Sequence, residues 1–447
     1  VVVEGRNIVE VREGAAANTS ADIDLGSALV TPAFVNGHTH VAMNAYRGLA
    51  SAAAMAGNVV EELFFRIEYA LSPGDVEAFA RMGAVEAALS GTAVVWDHYY
   101  FGLEVARALR HVGIGGVVAP TLQDLSGPGR AALHRALEDT EEIARNTAFG
   151  ERSIHAALGP HATDTVSDCL FADVSELAAR LKLPIHAHVA QTAEEYARSV
   201  AAHSKSPVRR LHDLGVFQDA PLFVMAHGLW VSDADLEALA GLPVVLAHCP
   251  RSQVQFGFPA PLGRWRQAGL GVWLATDCAA SNDGMDIQGE ITWAAGGPSY
   301  ALAASSAALS FFSEGTEAAA RALSAARQAH AAERAVDSTP ERLLEMVWSG
   351  PGARLPQGPA GVIAPGMVAH LAVWAPSGPN LWPLADPLRA LCWSNAEAAL
   401  EGLVVGGSWT IGPTGGRAEF LRRIDYAEME AEATLRLSHL LQRAGLS

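Results

Sequence analysis

The sequence predicts an α/β protein: a (β/α)8 TIM-type barrel carrying a small β-sandwich-like domain formed by both chain ends. Three observations lead there. Between residues 31 and 300, short β-rich apolar runs alternate with longer Ala/Leu/Glu/Arg stretches of helical period, as in repeated βα units around a parallel sheet. Eight such runs can be counted, and eight parallel strands close naturally into a barrel. The two ends instead carry short alternating strands with Gly and Pro turns and no helices between them.

The barrel runs cover residues 33–37, 92–97, 115–120, 154–159, 183–189, 222–226, 243–247 and 271–276. Helix signals fall between them. Ser72 before Pro73 reads as an N-cap with Pro at the first helical position, and Gly91 ends that segment; Ser232 with Asp233 opens another that closes near Gly241. The flanks, with "GVIAPGMVAHLAVW" and "LEGLVVGGSWTI", are expected to pair. The domain division is then 1–30 plus 360–415 for a composite β domain, 31–359 for the barrel, and 416–447 for a C-terminal helix packed on the body. Residues 50–57 read as an alanine-rich loop or helix start, and 126–129 as a turn.

With 18% charged and 50% hydrophobic residues, a chain of 447 residues can bury one large core and a smaller one, which excludes disordered and fibrous classes. The formal charge of −17, with no local Lys/Arg cluster, would repel phosphate backbones and anionic bilayers, so neither nucleic acid nor membrane is an expected partner. No apolar run approaches the roughly 18 to 20 residues of a membrane span, and no basic-then-apolar leader is read in the first segment. Cys169, Cys249, Cys278 and Cys392 are scattered without CxxC spacing, against a disulfide framework or thiolate metal site and in favour of a reducing cytoplasm. The chain opens on Val1 rather than Met, and a few preceding residues are expected.

His38-Thr39-His40 follows the apolar run "PAFVNG". On an extended backbone, residues two apart face one side, so both imidazoles can enter the barrel mouth and share an ion. His188 ends the fifth run, His227 follows the sixth, His248 the seventh and Asp277 the eighth, each at the strand end where a barrel carries its catalysis. Core histidines placed at random would not keep that register. Three neutral imidazoles and a carboxylate drawn from this set suit Zn²⁺ with an open position for water, and Fe²⁺ or Mn²⁺ would accept the same donors.

"VTPAFVNGHTH", "SGTAVVWDHYY", "GPHATDTVS", "HVAQT", "MAHGLWVSDADLEALA", "AHCPRS" and "LATDCAASND" resemble the successive motifs of the metal-dependent amidohydrolase superfamily. The nearest branch holds S-adenosylhomocysteine/adenosine-type, guanine and 8-oxoguanine deaminases and the triazine chlorohydrolases and aminohydrolases. The similarity runs over nearly the whole chain, through "IAPGMVAHLAVW" in the closing β motif. It implies His38 and His40 as first-strand ligands, His188 as the fifth-strand ligand, and Asp277 as a metal-contacting carboxylate that takes a proton from the attacking water. His227 matches the histidine that polarises water or substrate. Two-metal relatives bridge their ions with a carbamylated lysine or a carboxylate on the fourth strand; "SIHAALGP" offers neither, so one ion is implied. The activity implied is that of a mononuclear hydrolase acting on C–N bonds, a deaminase of a purine, pterin or triazine-like heterocycle, with a homodimer as its assembly.

One position departs from the family. Three residues after the fifth-strand ligand, where relatives carry a proton-shuttling glutamate, this chain has Gln191. Glutamine exchanges no proton near neutrality, so a general acid–base contribution of about 10² to 10⁴ would be lost unless another group supplied it. Three readings stay open. The substrate could be one whose leaving group needs less protonation, such as a halide, with His227, His98 or Glu194 as relay. The residue could be an engineered Glu→Gln trap. Or the chain could be a catalytically impaired heterocycle-binding homologue.

Around this set, His98 in "WDHYY", His161 in "GPHATD", Trp96 and His248 are expected to contact substrate together with His227 and Gln191. Thr163-Asp164 replaces the family's Pro-Tyr, so the substrate's outer portion is expected to differ from a nucleoside. His186 and His155 are read as satisfied core histidines, and His370 as structural.

Overall fold

Apolar β-branched runs become strands whose side chains alternate between the barrel interior and the surrounding helices. The computed structural model describes residues 1–14, 23–50, 57–258 and 260–446; most of the alanine-rich 50–57 stretch lies outside them. β1 (Val2–Glu4) and β2 (Asn7–Glu10) form an antiparallel hairpin, and β3 (Leu29–Pro32) leads directly into the first barrel strand, β4 (Phe34–Thr39). The barrel continues through β5 (Thr92–Tyr99), β6 (Gly115–Leu122), a fourth strand broken into β7 (Ile154–Ala156) and β8 (Gly159–Pro160), then β9 (Ile185–Val189), β10 (Phe223–His227), β11 (Val244–His248) and β12 (Gly271–Leu274). A Cβ at Gly159 would stand 2.6 Å from the Pro120 carbonyl oxygen, so glycine lets the fourth strand run this close to the third.

The strands pair in parallel as two sheets, β4-β5-β6-β7 with β8 on β6, and β12-β11-β10-β9. Two seams close the ring. Leu158 bridges Ile185 between the fourth and fifth strands, and Thr39 bridges Asp277 between the first strand and the end of the eighth. At the second seam the Asp277 N–H donates to the His38 carbonyl at 3.0 Å and the His40 N–H to the Asp277 carbonyl at 3.2 Å. The Asn36 amide latches the same seam, donating to Thr276 Oγ1 at 2.8 Å and accepting from the Thr276 N–H at 3.0 Å. Trp96 and Trp273, with ring centroids 5.3 Å apart, fill the interior below the mouth. The chain is the (β/α)8 barrel that the strand pattern predicts.

Helix Pro73–Leu89 starts at Ser72 and helix Asp233–Leu239 at Ser232, each with a capping box closed by Asp75 or Asp235. Strands from both ends share an antiparallel sheet ordered β15-β14-β13-β3, where β13 is Leu371–Trp374, β14 Leu400–Val405 and β15 Ser408–Ile411. The β14–β15 turn passes through Gly406 and Gly407 at φ 54° and 78°, the left-handed pair that a tight hairpin favours. The β1–β2 hairpin, a separate two-stranded sheet, is tied to the segment before β13 by the Ile8 N–H and the Met367 carbonyl (2.8 Å), and Ile8, Ala369, Leu371 and Val404 form a small core of their own. The C-terminal segment is two helices rather than one, Gly416–Arg423 and Tyr426–Arg443. Asp425, at φ 56°, breaks them. The second helix packs on Pro73–Leu89, with Arg443 2.6 Å from Asp75.

Candidate metal centre

His38 and His40 lie at the end of β4, where the period of two aims both rings into the mouth. With His188 at the end of β9 they form one group of candidate ligands, and His38, His227 and Asp277 form a second; within each, the donor atoms lie within 4.8 Å of one another. Because His38 belongs to both groups, they describe one centre. Asp277 Oδ1 stands 3.5 Å from His38 Nε2 and 3.4 Å from His40 Nε2, and His188 Nε2 stands 3.3 Å from His40 Nε2. The Nε2 atoms of His38 and His227 are buried with no hydrogen-bond partner among the described residues. An orphaned His38 nitrogen converging with those of His40 and His188 and with a carboxylate fits a single divalent ion of the zinc type.

Electrostatics prepare the donors. Burial pushes His38 down to about 3 and takes His188 well below the ordinary histidine range, which keeps both neutral. For His40 burial also acts downward, but the Asp277 hydrogen bond and the charges of Asp277 and Asp97 raise it overall. Burial opposes ionisation of Asp277, yet the neighbouring imidazoles of His38 and His40 hold it well below the usual carboxylate range. Ser281 Oγ donates to its other oxygen at 3.1 Å. Ala190, His227 and Asp277, at or just beyond the ends of β9, β10 and β12, take left-handed backbone at φ 55°, 72° and 62°. Such strain in non-glycine residues gathers at functional sites.

Supporting groups orient the rings. His40 Nδ1 donates to the His98 carbonyl, and His188 Nδ1 lies 2.8 Å from the His161 carbonyl. His38 Nδ1 instead faces His186 Nε2 at 2.8 Å, so His186, expected as plain core, belongs to the centre. Asp97 accepts from Thr39 Oγ1 (2.9 Å) and the Val41 N–H (2.7 Å), tying the chain beyond the His-Thr-His segment to β5.

A cavity opens beside the centre, lined by His40, His98, His161, His188, Gln191 and Asp277, with Phe64, Phe65, Tyr99, Tyr100 and Phe256 as its aromatic wall. His98 and His161 thus lie where the sequence expects them. Two other expected contacts do not. Trp96 points into the barrel interior two residues below His98, against Trp273 and His186; the strand period gives the right face but not the depth. His248 packs edge-on against Trp265 (5.3 Å) and lines a separate cavity with Gln253 and Trp293. It is in register beside His227, but the left-handed backbone of His227 turns that ring alone toward His188, on which it stacks at 5.6 Å.

Sequence reasoning missed two buried carboxylates. Glu68 lines the cavity and accepts from Tyr99 OH at 2.9 Å; burial pushes its carboxyl up to about 7. Glu195 accepts the N–H groups of Ala190 (3.0 Å) and Gln191 (2.7 Å), clamping the turn that presents Gln191, and burial likewise raises it to about 7. Glu194 is exposed. Both buried residues lie on helices, Glu68 on a four-residue one and Glu195 in the first turn after the Thr192 cap, so no strand-end marker singles them out.

The Amidohydrolase family profile matches residues 29–410. The 5-methylthioadenosine/S-adenosylhomocysteine deaminase of Thermococcus kodakarensis is 33% identical over 300 residues, 66% of this chain and 69% of that protein. The enzyme of the same name from Pyrococcus abyssi is 28% identical over 415 residues, 91% and 88% of the two chains. Among solved structures, an adenosine deaminase from Xanthomonas campestris with bound zinc superposes with a TM-score of 0.75 at 23% identity, covering 93% of this chain and 86% of its own. The chain belongs to the amidohydrolase family.

Proposed function

We propose that this protein is an aminohydrolase of nitrogen heterocycles of the purine, pterin or triazine kind, working with one divalent ion, zinc by preference, held by His38, His40, His188 and Asp277. The observation that carries this reading is the convergence of those donors with His227 at the C-terminal mouth of the barrel. The deaminase names of its relatives support the substrate class. When bound, the ion supplies Lewis acidity that brings the pKa of a water toward neutrality. Asp277, ionised and steadied by Ser281, accepts the water's proton and returns it to the departing amine. His227, whose Nε2 is without a hydrogen-bond partner among the described residues, polarises the attacked group by donating from an Nε2–H. Gln191 holds a ring nitrogen by a hydrogen bond but carries no proton. Glu68, with Tyr99, accepts from donors on the substrate's outer portion, and the aromatic wall covers the ring and excludes water. The domain division 1–30 with 360–415, 31–359 and 416–447, a cytoplasmic location and a homodimer belong to the same proposal.

The test is metal content by elemental analysis, together with ammonia release from 5′-substituted adenosines, guanine and aminotriazines. The expected result is about one ion per chain and turnover of an aminated ring; less than about half an ion per chain would sink the metal reading. Gln191 in the cavity favours a second reading, hydrolysis of a leaving group that departs without a proton, such as chloride. Chloride rather than ammonia as the product from matched chlorinated and aminated rings would select it.

A further inference from the structure

His186, two residues before His188 on β9, is fully buried. Its Nε2 stands 2.8 Å from His38 Nδ1. The other two ligand imidazoles on these strands lean on backbone carbonyls, those of His98 and His161. A carbonyl only accepts. It therefore holds His40 and His188 in the Nδ1–H tautomer that leaves the Nε2 lone pair for a cation. His186 can act either way. As an acceptor at Nε2 it matches the two carbonyls, and its own proton then sits on Nδ1, which has no partner among the described residues. As a donor it would leave His38 protonated on Nε2 and unable to ligate. One hydrogen position separates a competent ligand set from an incompetent one.

We propose that His186 is a positioning residue of the metal centre: it accepts the His38 Nδ1 proton and so fixes the tautomer and ring plane of that ligand. The inference rests on the reading of His38 as a ligand. Trp96 edge-on at 6.3 Å and His98 at 5.6 Å wall the His186 ring in, so its Nε2 is held toward His38. His186→Leu removes the acceptor while keeping apolar bulk, and His186→Asn restores an acceptor oxygen.

The full chain is titrated with Zn²⁺ against a chromophoric chelator. His186→Leu is expected to weaken zinc binding about 10- to 100-fold, with His186→Asn recovering most of it. In the Co²⁺-loaded protein the visible d–d bands shift in His186→Leu and return toward the parent in His186→Asn. Zinc affinity within about twofold of the parent in a folded His186→Leu chain overturns the inference. Should that variant fail to fold, ¹⁵N-histidine NMR of the zinc-loaded parent decides: His38 and His186 both protonated on Nδ1 supports the proposal, and His186 protonated on Nε2 overturns it. A parent chain that takes up no zinc overturns both this inference and the metal reading. A parent that takes it up, with His186→Leu unaffected, overturns this one alone.

Discussion

Gln191 lines the cavity on a turn clamped by Glu195, so its side chain is presented where a carboxylate could exchange protons with a bound ring. Gln191→Glu is expected to raise the rate of ammonia release by about 10² to 10⁴, and an unchanged kcat would show that no proton passes through this position. Glu68 makes a prediction about pH. Its folded-state pKa of about 7 lies above the ordinary 4.5, chiefly through burial, against the Tyr99 hydrogen bond and the His40 charge. Between those two values the folded chain keeps a proton that the unfolded chain has released, so stability falls as pH rises through the window and levels off above about 7. Glu68→Gln removes the titration. Its stability relative to the parent should therefore climb from about pH 4.5 to about pH 7 in denaturant midpoints, whereas a pH-independent difference would refute the assignment.

At the scale of elements, the legible part of the site is the part governed by strand period and strand ends. His38 and His40 are two apart on one strand, and His188 and Asp277 fall at or beside the ends of their strands, so chemistry and position agree. Trp96 shows what the period omits, since the correct face at the wrong depth is still core. His248 and His227 show what backbone handedness changes: neighbours in register diverge once one of them turns left-handed. Glu68 sits in the short helix Phe65–Glu68, whose four residues are too few to display a helical stripe. The Asn36–Thr276 latch was equally hidden, because an amide bridging the seam between the first and eighth strands has no local signature. Asn36→Ala strands the buried Thr276 N–H and should cost about 1 to 3 kcal/mol in equilibrium unfolding. A loss below about 0.5 kcal/mol would mean the seam closes without it.

For the whole molecule, alternation of apolar runs with helical stretches was enough to read the barrel, because a parallel sheet covered by helices buries its strands on both faces. What alternation could not reveal is where the ring is stitched. The seams rest on isolated bridges, and one of them joins Thr39 to Asp277, inside the metal centre itself. An ion bound there ties both half-barrel sheets together. Its removal by a chelator should lower Tm by several degrees, since a ligand held at about 100 times its Kd contributes about 2.7 kcal/mol. A Tm unmoved by chelation of a zinc-loaded sample would separate the centre from the stability of the seam.

The pairing of β3 with β13 has a consequence for synthesis. The strand ends at Pro32, yet the partner that covers it starts only at Leu371. β3 is thus made well before the partner that satisfies it, and the first barrel strand, which follows it directly, waits for Asp277 before its seam can close. His38 and His40 are made early but gain their carboxylate partner late. Ion capture by the complete ligand set therefore waits for Asp277, and a nascent or truncated product that stops before residue 277 carries histidines but no complete centre.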